Sequence, residues 1–171
     1  MPKFDVVVGN PPYVRQESLG EIKTYFSANY QVYHGTADLY VYFIEKSHKL
    51  LCSGGFFGMI VSNKWMSANY GVPLRRFITE HTTIRQIVDF GELPVFNDAS
   101  TFPAIIITKN VPITEQNFIY APIKTLEFKS LNEKVIKIGI EMNSQAVCGN
   151  IWTLTSRDKI TIIEKMNLIG S

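Results

Sequence analysis

The chain has 171 residues, of which 46% are hydrophobic and 19% charged, and its formal net charge is +2. This length and composition are typical of one globular domain, or slightly more, with a packed core. Because the net charge is so small, bulk charge gives no argument for a polyanionic partner, and nucleic-acid binding has to be argued from a site.

The first predicted element is a strand that ends in a stiff polar loop, at residues 4–13. Its apolar, β-branched run predicts a buried strand of a covered parallel sheet. Gly9 lets the backbone turn, and Pro11 disfavours helical geometry at Asn10. Pro11 and Pro12 fix two successive φ angles while their carbonyls stay free to accept hydrogen bonds. In open α/β sheets, the carboxyl end of a strand is where ligands bind.

The loop at residues 10–13, Asn-Pro-Pro-Tyr, suits a planar substrate that carries an exocyclic amine. The amine would donate to the side-chain oxygen of Asn10 and to the carbonyl of Pro11, while the ring stacks on Tyr13. The alternative is an ordinary turn after a strand, where Asn and Pro are common.

Asn10-Pro11-Pro12-Tyr13 resembles the catalytic motif of the adenine-N6 DNA methyltransferases of bacterial restriction–modification systems. Further segments follow in that family's order, over about residues 4–110: Asp-Leu-Tyr at 38–40, Gly-Gly at 54–55, the strand into Trp65, and Gly-Glu-Leu-Pro-Val-Phe at 91–96. The resemblance is closest to the γ-ordered class, in which a cofactor-binding half precedes the catalytic half and a target-recognition domain follows.

The resemblance implies an α/β fold, the second (catalytic) half of the doubly wound sheet of a class I S-adenosylmethionine-dependent methyltransferase. We expect residues 1–110 to form this half. Residues 111–171 would be a linker and the beginning of a target-recognition domain.

Residues 14–37 interleave basic and aromatic side chains, which suits a loop that follows phosphates. Arg15 and Lys23 are the candidate DNA contacts here. The alternative is a surface excursion with a short helix near residues 21–26 that packs Tyr25 and Phe26 into the core.

The next elements predict the remaining sheet and its helices. A helix over 38–51 has Leu39, Tyr42, Phe43 and Leu50 on one face, with Gly54-Gly55 as its C-cap. A buried strand over 56–61 and a helix over 72–80 follow, with Trp65 as a packing residue and Arg75 and Arg76 solvated or facing DNA. Strands over 84–90 and 104–108 then pair antiparallel.

The loop over residues 89–98 carries an aromatic residue, Phe96, among turn-forming residues. An exposed aromatic side chain usually packs or binds something. In the resembling enzymes the aromatic residue after this Gly-Glu segment stacks on the flipped base opposite the tyrosine of the catalytic loop. Phe96 matches that position, although the segment has one extra residue; Phe90 and Phe102 are the competing candidates.

After residue 110 the α/β alternation gives way to short β-like runs at 118–120 and 127–129 and a helix over 131–138. Trp152 and Leu154 are predicted packing residues. They precede a predicted helix whose inner face would carry Ile160, Ile163 and Met166.

The resemblance implies S-adenosylmethionine as cofactor, but its main binding motif is absent from the chain. The Gly-rich turn and the acidic ribose ligand belong upstream of the catalytic loop. We therefore expect a fragment whose missing N-terminal half binds the cofactor, and an isolated chain that is inactive.

The functional hypothesis is methyl transfer to the exocyclic amine of a flipped adenine in double-stranded DNA. Two alternatives stay open: a methyltransferase of RNA adenine or protein glutamine, and a non-catalytic DNA-binding or subunit fragment.

The remaining composition predicts neither a metal site nor a membrane span. Cys52 and Cys148 form no metal-binding or disulfide framework, which is typical of a reducing cytoplasm. The three histidines lack zinc-like spacing, and no apolar stretch is long enough to cross a bilayer.

Overall fold

The computed structural model describes residues 3–96, 102–112 and 115–149, together with Trp152 and Leu154. The strands are β1 (Phe4–Gly9), β2 (Leu51–Ser62), β3 (Thr83–Asp89), β4 (Pro103–Lys109), β5 (Asn117–Pro122) and β6 (Ile140–Asn143). The helices are α1 (Ile22–Asn29), α2 (Leu39–Leu50), α3 (Val72–His81) and α4 (Leu131–Ile138). The predicted strand at 127–129 is wrong, since that stretch lies between β5 and α4 without strand pairing. The predicted helix beyond Trp152 lies outside the described residues.

The six described strands form one mixed sheet in the order β1-β2-β4-β3-β5-β6. The pairs β1–β2 and β3–β5 are parallel, whereas β4 is antiparallel to both β2 and β3, and β6 is antiparallel to β5. The predicted antiparallel pairing of the strands near 84–90 and 104–108 is confirmed. It follows that β1, β2, β3 and β5 all run in one direction, so their carboxyl ends lie at the same edge of the sheet.

The sheet continues past residue 110, because β5 and β6 are hydrogen-bonded into it. The division between a catalytic half and a recognition region at that residue stays a prediction.

Apolar residues cover the sheet on both faces. One buried cluster includes Tyr40 and Ile44 of α2, Phe57 of β2 and Ile78 of α3, and the second joins Val88, Phe90, Ala121 and Ile123 to Val135 of α4. Neighbouring residues of β3 illustrate the division: Ile87 belongs to the first cluster and Val88 to the second, as the alternation of a strand requires.

The prediction that the first strand is buried is wrong for the described residues. Phe4, Val6 and Val8 of β1 are 50%, 56% and 74% exposed. Among the described strands, β1 stands at the end of the sheet and pairs only with β2. The apolar pattern is that of a strand covered on both faces, but only Val7 packs against the first core cluster, and Phe4, Val6 and Val8 stay exposed in the described chain.

The prediction that Gly54 and Gly55 cap a helix is also wrong. Helix α2 ends at Leu50, and the glycine pair lies inside β2. Two residues along β1, from Phe4 to Val6, correspond to five along β2, from Leu51 to Phe56, so the glycines belong to a bulge. Gly54 has a φ of +81°, which favours glycine, and a Cβ on Gly55 would come within 3.1 Å of two backbone oxygens of β1.

Two further predictions on the helices fail. Phe43 faces outward at 39% exposure, because α2 buries the neighbouring face that carries Tyr40, Ile44 and His48. Arg75 is buried rather than solvated, and its guanidinium donates to the carbonyls of Trp65 and Ala68.

The predicted packing roles of the tryptophans are confirmed. Trp65 is fully buried, and its ring meets that of Trp152 edge-on at 4.9 Å between centroids. The backbone N–H of Trp152 also donates to the carbonyl of Met66 at 3.1 Å. The C-terminal part of the described chain is therefore tied to the loop after β2.

Candidate catalytic site

Three loops meet at the edge where the parallel strands end. The Asn-Pro-Pro-Tyr loop follows β1, a 3-10 turn over Asn63–Met66 follows β2, and the loop over 90–96 follows β3. Their side chains form the candidate site.

Asn10 presents unused hydrogen-bonding groups to solvent. It is exposed, and its side-chain amide forms no hydrogen bond with any described residue. Pro11 beside it is buried, Pro12 is exposed, and the Pro11 carbonyl accepts no hydrogen bond from the described residues. Two acceptors are therefore open at the end of β1, held on a backbone that two prolines stiffen.

Tyr13 is fixed to the neighbouring strand. Its hydroxyl donates to the carbonyl of Ile60 in β2 at 3.2 Å. Burial raises the pKa of Tyr13, so the phenol stays protonated and the hydrogen bond is kept. The ring itself is half-buried.

Phe96 and Tyr13 are brought together although 83 positions separate them in the sequence. Their ring centroids are 6.1 Å apart and the ring planes are tilted by 57°. A planar group between two parallel rings needs a separation of about 7 Å, twice the contact distance of carbon atoms. The separation of the two rings is close to that value. If the rings moved slightly apart and became parallel, a base would fit between them.

The two competing aromatic residues have other neighbours than the Tyr13 ring. Phe90 is buried in the second core cluster. The ring of Phe102 is half-buried and lies 5.1 Å from the ammonium of Lys64.

Asp89 stands at the start of the loop that carries Phe96, and no sequence motif identified it as a site residue. Its Oδ1 accepts hydrogen bonds from the Gly91 amide and from the Asn63 side chain, both at 2.9 Å. Its Oδ2 accepts from the hydroxyl of Tyr120 at 3.1 Å. The one signal available in the sequence was an acidic residue between a strand and a glycine.

A groove of about 500 Å³ lies beside Tyr13. Its lining is mostly polar and contains two cations and two carboxylates: Tyr13, Arg15, Gln16, Glu17, Thr36, Asp38, Ser62, Lys64 and Tyr70. Arg15 is exposed there, and its guanidinium forms no hydrogen bond or salt bridge with any described residue.

Lys23 is not brought into this groove. Its ammonium donates to Gln16 Oε1 at 2.5 Å and to the carbonyl of Gly35 at 3.0 Å. It therefore ties the segment after the Asn-Pro-Pro-Tyr loop to the segment that leads into α2. Asp38 also links these two segments, because its Oδ1 accepts a hydrogen bond from the backbone N–H of Gln16 at 2.9 Å.

The described residues contain no group of histidine, cysteine and carboxylate side chains that could hold a metal ion. None of the helices in the described ranges combines the length and the apolar character that a membrane crossing requires.

A sequence model of one protein family, described as Eco57I restriction-modification methylase, matches residues 1–96. That match covers more than half of the chain. The chain belongs to the Eco57I restriction-modification methylase family. The resemblance drawn from the Asn-Pro-Pro-Tyr loop and its neighbouring segments is thereby confirmed at the level of restriction–modification methylases.

A curated relative of this Eco57I-family chain is the Type II methyltransferase M.BstVI of Geobacillus stearothermophilus. The two are 40% identical over 127 residues, which is 72% of this chain but 23% of M.BstVI. The chain thus spans less than a quarter of the length of that relative.

Solved structures share the fold of this Eco57I-family chain. A structure of a type I restriction–modification system matches 98% of the chain, and 43% of its own, with a TM-score of 0.66 at 16% identity. A Listeria monocytogenes protein described as a class I S-adenosylmethionine-dependent methyltransferase matches 80% of the chain, and 42% of its own, with a TM-score of 0.61 at 17% identity. The predicted α/β fold of a class I methyltransferase is confirmed.

Proposed function

We propose that this chain is the catalytic part of a DNA methyltransferase that transfers a methyl group to the exocyclic amine of adenine. The observation that carries the proposal is the open pair of acceptors at Asn10 and Pro11 beside the Tyr13–Phe96 ring pair. Membership of a restriction–modification methylase family supports DNA as the substrate.

The two acceptors suit an amine that gains positive charge during the reaction. The Asn10 side-chain oxygen and the Pro11 carbonyl would accept both amine hydrogens and thereby orient the nitrogen lone pair. These bonds strengthen as charge develops on nitrogen, so they stabilise the transition state more than the ground state. The methylated nitrogen is acidic enough to lose its proton to water, and the reaction then needs no basic side chain.

The ring pair suits a base that has left the duplex. An adenine amine is out of reach while it is paired, so the nucleotide has to be extruded. Tyr13 and Phe96 would hold the flipped base on its two faces, and stacking of this kind contributes about 1–3 kcal/mol per base. The ring of Tyr13 is already fixed by its bond to Ile60.

The groove beside Tyr13 suits the nucleotide backbone next to the flipped base. Arg15 and Lys64 supply positive charge at this groove, while Glu17 and Asp38 oppose it. One oxygen of the Asp38 carboxylate already accepts a hydrogen bond from the backbone N–H of Gln16. Arg15 is the better DNA contact, because the ammonium of Lys23 is used within the protein.

The methyl donor we propose is S-adenosylmethionine, which supplies an activated methyl group when it is bound. The described residues contain no glycine-rich turn from a strand into a helix, since Gly54 and Gly55 lie in the bulge of β2. This chain's own part is therefore to hold the acceptor amine in line with the donor.

The outer edge of β1 supports a further half that completes the sheet. Its apolar residues are exposed, and a long apolar edge strand is normally covered or paired. We propose that a cofactor-binding half covers it. The isolated chain would then be inactive. A bound ligand raises the melting temperature of a protein, so S-adenosylmethionine should leave the melting temperature of the isolated chain unchanged.

The decisive experiment uses the full-length protein that contains this chain. Duplex DNA, RNA and a glutamine-containing peptide are each offered with labelled S-adenosylmethionine. Label in DNA adenine that disappears in Asn10→Ala is the expected result. Label in RNA or peptide would support the proposed role of Asn10 and Pro11 but would show that DNA is not the substrate. DNA binding without methyl transfer would indicate a non-catalytic DNA-binding protein.

A further inference from the structure

Asp89 joins three separate elements at the edge of the sheet. One carboxylate accepts from the Gly91 amide in the loop after β3, from the Asn63 side chain after β2, and from the Tyr120 hydroxyl in β5. A charged acceptor forms stronger hydrogen bonds than a neutral one. Asp89 is thus the common anchor of two loops that border the candidate site.

The loop that begins at Asp89 is short and internally bonded, so the position of Asp89 determines the position of Phe96. Gly91 has a φ of +55°, which turns the chain sharply, and the amide of Leu93 donates back to the carbonyl of Phe90 at 3.0 Å. Leu93 and Val95 pack against the second core cluster. Phe96 follows directly and meets the ring of Tyr13.

The donors around Asp89 keep their hydrogens. Burial raises the pKa of Tyr120, and the neighbouring Asp89 raises it further, so the hydroxyl stays a donor. Removing the carboxylate would leave donors without an acceptor, and the loop would lose its fixed starting point.

We infer that Asp89 is a positioning residue, whose carboxylate fixes the loop over 90–96 so that Phe96 faces Tyr13 across the space for the base. This inference rests on the proposed function. Asp89 touches neither the base nor the cofactor. It acts through Phe96, and through Asn63 it also fixes the loop that carries Ser62 and Lys64 at the groove.

The test compares Asp89→Ala, Asp89→Asn and Tyr120→Phe in the full-length protein. The alanine variant removes all three bonds. The asparagine variant keeps an oxygen for Gly91 and Asn63 but presents an amide donor to Tyr120. The control, Tyr120→Phe, removes only the third bond.

Two measurements report on positioning, apart from the rate of methyl transfer. Fluorescence of 2-aminopurine at the target position reports how the extruded base is stacked. Hydrogen exchange of the amides in residues 91–96 reports the order of the loop without any substrate. Circular dichroism and thermal melting identify variants that do not fold.

We expect kcat to fall roughly 100-fold in Asp89→Ala, because a displacement of about 1 Å has that effect on a reacting group. The fall should be about tenfold in Asp89→Asn and smaller still in Tyr120→Phe, with KM for DNA little changed. The 2-aminopurine signal and the exchange of 91–96 should change in the same order. If Asp89→Ala fails to fold, Asp89→Asn alone decides the inference by these readouts.

The inference is overturned if the folded variants lose thermal stability but keep the wild-type 2-aminopurine signal and the wild-type exchange of residues 91–96. Wild-type kcat in Asp89→Asn together with unchanged exchange would overturn it as well. If the wild-type protein methylates no DNA, the proposed function fails separately, and hydrogen exchange of 91–96 in the variants still judges the role of Asp89.

Discussion

The polar groups at the edge of the sheet are of two kinds. The side chains of Asn10 and Arg15 form no hydrogen bond with any described residue. Asp89 and Lys23, in contrast, form hydrogen bonds with other residues of the chain. We expect the groups without a hydrogen bond to bind a ligand and the bonded groups to hold the structure. Substitutions of the first kind should impair activity, and those of the second kind should first reduce stability or order.

The largest effect is expected for Asn10→Ala, which removes a free acceptor. The rate of methyl transfer should fall roughly 100- to 1,000-fold, the range found when one hydrogen bond specific to the transition state is removed. The melting temperature and the affinity for duplex DNA should change little, since Asn10 is exposed and its side chain forms no hydrogen bond with the described residues. Asn132→Ala, at an exposed position of α4, is the matched control. Normal transfer by Asn10→Ala would refute the assigned mechanism.

His48 tests the opposite kind of group, one that is satisfied and buried. Its Nδ1 lies 2.8 Å from the carbonyl of Ile44, and its Nε2 lies 2.8 Å from the hydroxyl of Thr108. Burial lowers its pKa to about 4, and the nearby His81 lowers it as well. The folded state therefore favours neutral His48.

Because the unfolded chain takes up the proton near pH 6.5, the free energy of unfolding should decrease as the pH falls from about 6.5 towards 4. The full contribution of His48 is of the order of 3 kcal/mol and is present above pH 6.5. Urea unfolding at several pH values measures it, and the decrease between pH 6.5 and 5 should be smaller in His48→Gln. An equal decrease in that variant would assign the pH dependence to other groups.

Phe96→Ala tests the aromatic half of the site. It should weaken base stacking by about 1–3 kcal/mol, seen as a change in 2-aminopurine fluorescence and a slower transfer. Phe102→Ala is the control, because Phe102 is the competing half-buried aromatic residue. A larger effect in the control would move the stacking role to Phe102.

The smallest effects are expected for two neighbouring cations. Arg15→Gln should reduce the dependence of DNA affinity on salt by a slope of about 1, as expected for the loss of one phosphate contact. Lys23→Met should leave that slope unchanged and lower the stability by about 1 kcal/mol through its lost hydrogen bonds. If Lys23→Met changes the salt slope and Arg15→Gln does not, the two roles are reversed.

Local sequence patterns predicted α2, α3, α4 and most strands, because periodicity and turn residues act over short distances; α1 was only the alternative interpretation of its segment. They also predicted the Asn-Pro-Pro-Tyr loop at a strand end, since Pro11 and Pro12 restrict the backbone by themselves. Phe96 was chosen through resemblance, and the structure places its ring beside Tyr13. Its role at the base stays a prediction, as do the roles of Asn10 and Arg15.

Tertiary structure decided what depends on contacts between distant residues. Arg75 is buried and Phe43 is exposed, the reverse of what was expected. Packing around α2 and α3, and not hydropathy alone, selects which face of each helix is buried. The glycines at 54–55 belong to a bulge of β2, where Gly54 has a positive φ and β1 closely approaches Gly55. The hydrogen bonds of Asp89 join the loop after β2, the loop after β3 and the strand β5. No local sequence pattern encodes such a connection. The sequence by itself thus determined the chemistry available at the strand end, and only the tertiary structure decided which polar groups are left free to use it.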